Sequence, residues 1–148
     1  MDLESDRMAT FDDFVAVHAH ARGLPVSWPG YDFDPATVPG NARLDDAPTD
    51  NLYLRVNTLI APPDVRGIGD GWTIYLWTLQ VDVCIRDGIG ETHAVREAQA
   101  LRSALPKNHS LTGAMHDFTV PAPAAISTSL PDDGWRSMPV SIRLQTIL

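Results

Sequence analysis

The side chains with the greatest capacity for chemistry in this sequence are five histidines and one cysteine. His18 and His20 are two residues apart in a predicted helix, so they point to different faces and cannot chelate one metal ion together. His93, His109 and His116 have no neighbouring cysteine or carboxylate pattern of ligand type. The sequence therefore predicts no metal site.

Three short motifs resemble ligand loops but lack the residues that define such loops. DFDP and LDDAP lack the glycine and terminal glutamate of a calcium loop, so we interpret them as turns. GIGDG lies between two predicted strands, whereas a phosphate-binding glycine loop precedes a helix. Cys84 has no basic neighbour in sequence to activate it, which predicts an inert thiol. No nucleophile, base and orienting group come together, so we expect neither an enzyme nor a cofactor.

The composition is that of a globular protein. The chain has 148 residues, of which 44% are hydrophobic and 20% charged, and this predicts one domain over residues 1–148. The single cysteine excludes an internal disulfide and favours a reducing compartment. The N-terminal stretch has acids where a secretory signal needs basic and apolar residues, and no segment approaches the roughly 18 apolar residues of a membrane span. We therefore expect a cytoplasmic product without a membrane partner.

The negative charge is concentrated in the first third of the chain. Residues 1–50 hold ten acids and three arginines, a net charge of −7, whereas residues 51–148 have a net charge of −1. A protein that grips nucleic-acid phosphates shows clustered lysines and arginines instead. The charge therefore argues against a nucleic-acid-binding function and is consistent with a role in solubility.

Apolar residues at helical spacing predict two helices. The first begins after an N-cap at Thr10 and ends at Gly23. The second runs from Glu91 to Leu105 and ends before Pro106. Its predicted solvent-facing residues are Glu91, Arg96, Glu97 and Arg102.

A long acidic loop is predicted at about residues 24–51. This stretch is rich in proline, glycine and aspartate and has neither a helical nor a strand period, and a loop of this length is functional or ordered by a partner. Trp28, Tyr31 and Phe33 lie within it. We interpret these aromatic residues as anchors that hold the loop on its own domain.

Residues that alternate between apolar and polar predict four to five strands. NLYLRVNTLI and GWTIYLWTLQVDVCIRDG form a hairpin whose tip is APPDVRGIGDG, and AAISTSL and the C-terminal stretch supply further strands. Because Pro139 has no backbone N–H, we place the last strand at an open edge. The predicted fold class is α+β, with one mixed or antiparallel sheet of four to five strands and two helices packed on one face.

The order of these pieces resembles a known family. RGLPVSWPG, NLYLRVNTLIAPP, WTLQVDVCIRDGIG before the helix AVREAQALRSALP, and SLPDDGWRSMPVSIRLQ together resemble tail terminator proteins of long-tailed bacteriophages. The resemblance implies a homohexameric ring that caps the finished tail tube, stops addition of tail tube protein and presents the joining surface to a head-completion or stopper protein. It also implies a location in the tail or neck of the virion, with duplex DNA passing through the ring without specific binding.

The resemblance and the predicted open edge together define the expected interaction residues. The tip can project from the sheet without disturbing the core, and its apolar residues have no obvious burial site within the domain. The predicted interaction residues are Val65, Arg66, Ile68, Trp135, Arg136, Pro139 and Arg143. Two alternatives stay open: another head-to-tail joining protein, such as a stopper or tail-completion factor, and a small-ligand or enzymatic domain with its site in the loop Trp28–Asp50.

Overall fold

The structure is a computed structural model that describes residues 2–38, 51–66 and 71–148. These residues form two α-helices, a short 3₁₀ helix and nine strands. In chain order the elements are α1 (Leu3–Arg22), β1 (Val26–Ser27), the 3₁₀ helix (Pro35–Thr37), β2 (Leu52–Ile60), β3 (Asp64–Arg66), β4 (Trp72–Arg86), α2 (Thr92–Ala104), β5 (Ser110–Thr112), β6 (Asp117–Thr119), β7 (Ala125–Ile126), β8 (Leu130–Asp132) and β9 (Trp135–Ile147).

All nine described strands belong to one mixed sheet. Its order is β1-β2-β4-β9-β6-β5, with β3 paired to β4, and with β7 and β8 paired to β9. Only β1 and β2 are parallel among the described pairs. The α+β class is confirmed, but the predicted count of four to five strands is wrong. Strands of two or three residues are too short to show an alternating period in the sequence.

The main core lies between one face of the sheet and the two helices. Alternate residues of β2, β4 and β9 meet the buried residues of both helices, among them Phe11, Val15, Ala98 and Leu101. The sequence assigned this face of β4 correctly, because Trp77 and the alternate residues up to Ile85 are all buried. We call this side the helix face of the sheet and the opposite side the outer face.

α1 begins eight residues earlier than the sequence suggested. Asp2 is the N-cap, and its carboxylate accepts a hydrogen bond of 2.8 Å from the backbone N–H of Ser5. Thr10 lies inside the helix, where its hydroxyl donates to the carbonyl of Asp6. The predicted N-cap at Thr10 is therefore wrong. The predicted end at Gly23 is confirmed, because this glycine has a φ of 70° and closes the helix with its backbone N–H.

α2 matches its predicted span, but one residue of its predicted solvent-facing side is buried. Glu97 is 3% exposed, and it accepts hydrogen bonds from both Nε and Nη2 of Arg22 at the end of α1. This bidentate pair raises the pKa of Arg22. Glu97 therefore joins the two helices, a contact between distant parts of the chain that helical spacing alone does not reveal.

The last strand is not an open edge. β9 pairs with β4 along its whole length, and β6, β7 and β8 line its other side. The carbonyl of Pro139 accepts a hydrogen bond of 2.9 Å from the N–H of Ser127, but Pro139 has no N–H to return. This accounts for the end of β7 at Ile126 and for the break in the predicted strand AAISTSL. The prediction of an edge at Pro139 is therefore wrong.

Candidate assembly surface

The outer face of the sheet is closed at one end by aromatic packing. Tyr53 and Trp135 meet edge to face with their ring centroids 5.0 Å apart, and Phe33 packs on Tyr53 at 4.8 Å. Cys84 lies beneath them and is buried, and this burial raises the pKa of its thiol to about 11. We call Phe33, Tyr53, Cys84 and Trp135 the closed end. An inert thiol, as the sequence suggested, is consistent with this environment.

A charged network continues from the closed end along the outer face. Arg55 donates 2.8 and 3.2 Å hydrogen bonds to Asp82, and a 2.7 Å bond to Asp132 at the end of β8. Gln80 donates to the second oxygen of Asp82 at 3.0 Å. Asp82 is 6% exposed, so its charge is balanced inside the molecule. Removing one partner would leave a buried charge uncompensated, and the paired groups have little capacity left for binding a ligand.

The opposite end of the sheet exposes a group of large apolar side chains. Six of the twelve exposed large hydrophobic residues in the described chain lie there. We call them the distal apolar surface: Leu59, Ile60, Val65, Trp72, Ile147 and Leu148. Val65 and Trp72 are 71% and 62% exposed. The strand register places Leu59, Trp72 and Ile147 on the outer face and Ile60, Val65 and Leu148 on the helix face of this sheet end. Exposed apolar residues concentrated at one end of a sheet mark a place of contact with another protein.

The backbone beneath the distal apolar surface is held in a regular ladder. Val65 lies opposite Thr73 in the pairing of β3 with β4. Thr73 and Leu148 exchange two hydrogen bonds of 2.9 and 3.0 Å, which hold the last residue beside β4. The exposed side chains therefore project from a pre-organised strand end, which lowers the entropic cost of binding.

A depression lies between the distal apolar surface and the centre of the outer face. Its volume is about 400 Å³, and its lining includes Ile74, Leu76, Thr78, Arg143 and Gln145. Arg143 is exposed and lies opposite Thr78 in the ladder between β4 and β9. Asp64 lines the same depression. The apolar surface thus has a polar neighbour with charges of both signs, as the rim of a protein interface does.

The structure places the seven predicted interaction residues in different surroundings. Val65 belongs to the distal apolar surface and Arg143 lines the depression beside it. Trp135 is buried in the closed end, and Arg136 donates a 3.0 Å hydrogen bond to Glu91. Pro139 is half-buried inside the sheet. Arg66 ends β3, and Ile68 lies outside the described residues.

Sequence reasoning did not select Trp72, Leu59 or Ile147 as interaction residues. Trp72 has the same alternation as Thr78, Gln80 and Asp82, so an aromatic residue on a polar face was the available signal. Tyr31 was assigned as an anchor but is 78% exposed, whereas Trp28 and Phe33 pack against the core clusters as expected. The loop is therefore held by two of its three aromatic residues.

A buried carboxylate fastens the β5–β6 hairpin to α1. Asp6 is 1% exposed and accepts hydrogen bonds from the N–H groups of Ala114 and Met115, at 2.7 and 3.0 Å, and lies 2.8 Å from Nδ1 of His116. Burial alone raises the pKa of Asp6, but these bonds outweigh it and hold the pKa below its ordinary value. Gly113 is required there, because an added Cβ would lie 2.7 Å from Asp6 Oδ1 and 2.8 Å from the carbonyl of His116.

The described residues contain no group of three or more His, Cys, Asp or Glu side chains placed to hold a metal ion. Within the same residues, no helix is both long and apolar enough to cross a membrane.

Comparison with known proteins identifies the family. A family model described as phage tail terminator protein matches residues 8–144, nearly the whole chain. The chain belongs to the phage tail terminator family. This confirms the resemblance seen in the sequence and indicates a structural role in the phage tail. The tail terminator family is a structural family, which agrees with a surface built for contact.

A solved structure supports the fold of this tail terminator. It aligns with 97% of this chain and 94% of its own, with a TM-score of 0.72 and 23% sequence identity, and its name carries no functional description. At this level of identity the similarity concerns the fold alone. The search of curated protein sequences gave no match.

Proposed function

We propose that this protein caps the completed tail tube as a hexameric ring, ends tube polymerisation and forms the joining surface to the head or neck. The observation that carries the proposal is the distal apolar surface on a chain of the tail terminator family. Covering this surface lowers the free energy of the subunit, since burial of apolar area is favourable by roughly 25 cal/mol per Å². Contact with a neighbouring subunit or with the last ring of tail tube protein covers it.

The proposed ring sits in the virion tail or neck after synthesis in the host cytoplasm. A head-completion or stopper protein is its proposed partner on the side away from the tube. The net charge of −8 supports passage of duplex DNA without specific binding, because like charges repel. Isolated protein is therefore expected not to retard duplex DNA in a gel, even at low salt.

The proposal is tested by polymerising purified tail tube protein of the same phage with and without this chain. Electron microscopy should show tubes of uncontrolled length when the tail tube protein polymerises alone, and short, capped tubes when this chain is added. Light scattering should give the mass of six 16.2 kDa subunits, either free or on tube ends. A tight dimer in both conditions would contradict the proposed ring. Binding to finished tails without any effect on tube length would point to a stopper instead.

Replacing Asp64–Asp70 by a tight turn provides a second test. The change removes Val65 and the rest of the hairpin tip but leaves the long strands and both helices in place. We expect a folded protein by circular dichroism that no longer forms rings or caps tubes. Normal capping by this variant would show that the contact lies elsewhere.

A further inference from the structure

The outer edge of β2 is bare over its second half in the described structure. β1 pairs only with Leu54 and Arg55. The chain then turns, with the N–H of Tyr31 donating to the carbonyl of Trp28 and with Gly30 at a φ of 78°, and Tyr31 lines one cavity together with Thr58. No described strand lies beside Thr58–Ile60 on the side away from β4.

The hydrogen-bond pattern shows which backbone groups face this open side. The N–H of Ala61 donates to Leu76 in β4, at 3.1 Å, while the N–H of Leu54 donates away from β4 to Pro25, at 2.9 Å. Bonded and non-bonded pairs alternate along an antiparallel ladder. Thr58 and Ile60 therefore direct their N–H and carbonyl groups outward, where an added strand would bond.

Two cavities adjoin the start of the bare edge, next to Val56 and Asn57, one on each face of the sheet. The cavity on the helix face, about 320 Å³, is lined by Met8 and Asp12 together with Trp28 and Thr58. The cavity on the outer face, about 340 Å³, is lined by Asn57 and Gln80 and shares Trp28 with the first. Successive side chains of an extended segment point to opposite faces, so the cavities match its alternation.

A local hydrogen bond protects the edge in the free protein. The side-chain oxygen of Asn57 accepts the N–H of Thr58 at 2.9 Å. This contact satisfies one outward donor, and unpaired N–H and C=O groups are what make an open edge a template for another strand. An incoming strand would replace the side-chain acceptor with a backbone carbonyl.

The charges around the groove favour a basic segment. Arg7 is paired with Glu4 at 2.8 Å, and Arg55 is paired with Asp82 and Asp132. Asp12 is exposed and makes no hydrogen bond or salt bridge with the described residues. The unpaired charge that faces a ligand in the helix-face cavity is therefore negative.

We propose that an extended segment of another tail protein binds here as an added strand beside Thr58–Ile60. The segment places an apolar side chain against Met8 and Trp28 and a lysine or arginine against Asp12. Its backbone accepts and donates the outward hydrogen bonds of Thr58 and Ile60. The choice of a tail protein as its source rests on the proposed function; the groove itself does not.

The test uses isotope-labelled protein and synthetic 12-residue peptides that cover the tail tube protein of the same phage, with peptides of the head-completion protein as a comparison set. We expect one tail tube peptide with a basic residue to slow hydrogen exchange of the Thr58 and Ile60 amides at least tenfold. Slower exchange with a head-completion peptide instead would contradict a tail protein as the source. Asp12→Asn should weaken binding of the tail tube peptide about five- to tenfold, whereas the neighbouring Asp13→Asn should leave binding unchanged.

Thr58→Pro removes one outward donor without removing a bond to β4, because Thr58 lies at a non-bonded pair with Leu79. It should abolish peptide binding. Thr112→Pro is the matched control, since Thr112 also faces outward on β5, at the opposite edge of the sheet. Circular dichroism checks that both variants fold. If Thr58→Pro does not, the Asp12 and Asp13 variants decide the outcome.

Three results would overturn the inference. They are the absence of any peptide that slows exchange of these amides, slow exchange of the Ile60 amide already in the dilute protein alone, and slowing by a second copy of the chain that rises with protein concentration. If the wild-type protein caps tubes but no peptide slows exchange of these amides, the inference fails and the proposed function stands. If a peptide slows exchange but the protein does not cap tubes, the inference stands and the proposed function fails.

Discussion

The two ends of the outer sheet face are built from the same long strands, yet they differ in how their large side chains are covered. At the closed end, Trp135 is 8% exposed and contacts Tyr53, while the guanidinium of Arg86 lies 4.6 Å from the Trp135 ring. At the distal apolar surface, Trp72 is 62% exposed. Phe33 and Val38, which follow β1, reach the first end and supply partners there.

This difference teaches which apolar residues serve folding and which are available for assembly. A tryptophan with intramolecular partners contributes to the stability of the subunit. A tryptophan on a rigid strand without such partners contributes mainly when a second protein covers it. The predictions below test that division, beginning with the largest expected effect.

Trp135→Ala should destabilise the subunit strongly. Removing a buried aromatic side chain leaves a cavity beside Tyr53 and Cys84, with an expected loss of about 3–5 kcal/mol in the free energy of unfolding. Trp72→Ala is the matched control and should change that free energy by no more than about 0.5 kcal/mol. Urea denaturation measures both. Equal losses for the two variants would refute the division between the ends.

Arg55→Ala should have the next largest effect on stability. The change leaves the buried carboxylate of Asp82 without its cation, and breaking such a pair costs about 3 kcal/mol. That value is at the lower end of the usual range, because the Arg55 side chain is 39% exposed. The double variant with Asp82→Ala should be more stable than Arg55→Ala alone. A double variant whose loss equals the sum of the two single losses would show that the charges are uncoupled.

Trp72→Ser should impair assembly rather than folding. Loss of a central aromatic contact is expected to raise the protein concentration needed for capping about 10- to 100-fold, which corresponds to about 1.4–2.7 kcal/mol. Tube length in the polymerisation assay measures the effect, and urea denaturation confirms that the subunit is intact. Val95→Ser on α2, 37% exposed, is the control and should cap normally. Unchanged capping by Trp72→Ser would remove this residue from the proposed interface.

The smallest expected effect concerns pH and the attachment of the β5–β6 hairpin. Because the pKa of folded Asp6 is below the ordinary value of 3.8, its contribution to stability is fully present above that value. The contribution declines as the pH falls below 3.8 and is lost below the folded pKa. The amide signals of Ala114 and Met115 should report this transition in nuclear magnetic resonance. Asp6→Asn should remove it, and a transition that persists in the variant would assign it to another group.

Much of the architecture was predictable from local patterns. Strand alternation identified the buried face of β4, helical spacing identified α2, and the left-handed glycine marked the end of α1. The Asp133–Gly134 turn before β9 is also a local feature, because Asp-Gly is a typical sequence for a two-residue hairpin turn, and both residues have the positive φ values that such a turn requires, 49° and 82°. These features depend on residues close together in the chain, so the sequence alone determines them.

The tertiary structure decided which predicted surfaces are free. Pro139 looked like an edge residue because a proline lacks a donor, yet β7 and β8 return to cover that side of β9. Glu97 looked solvated because helical spacing cannot show that Arg22, 75 residues away, pairs with it. Trp135 and Trp72 both begin a strand, and only the positions of distant segments make one a core residue and the other an exposed contact. Burial depends on which chain segments meet in space, and those long-range contacts are not encoded in any local period.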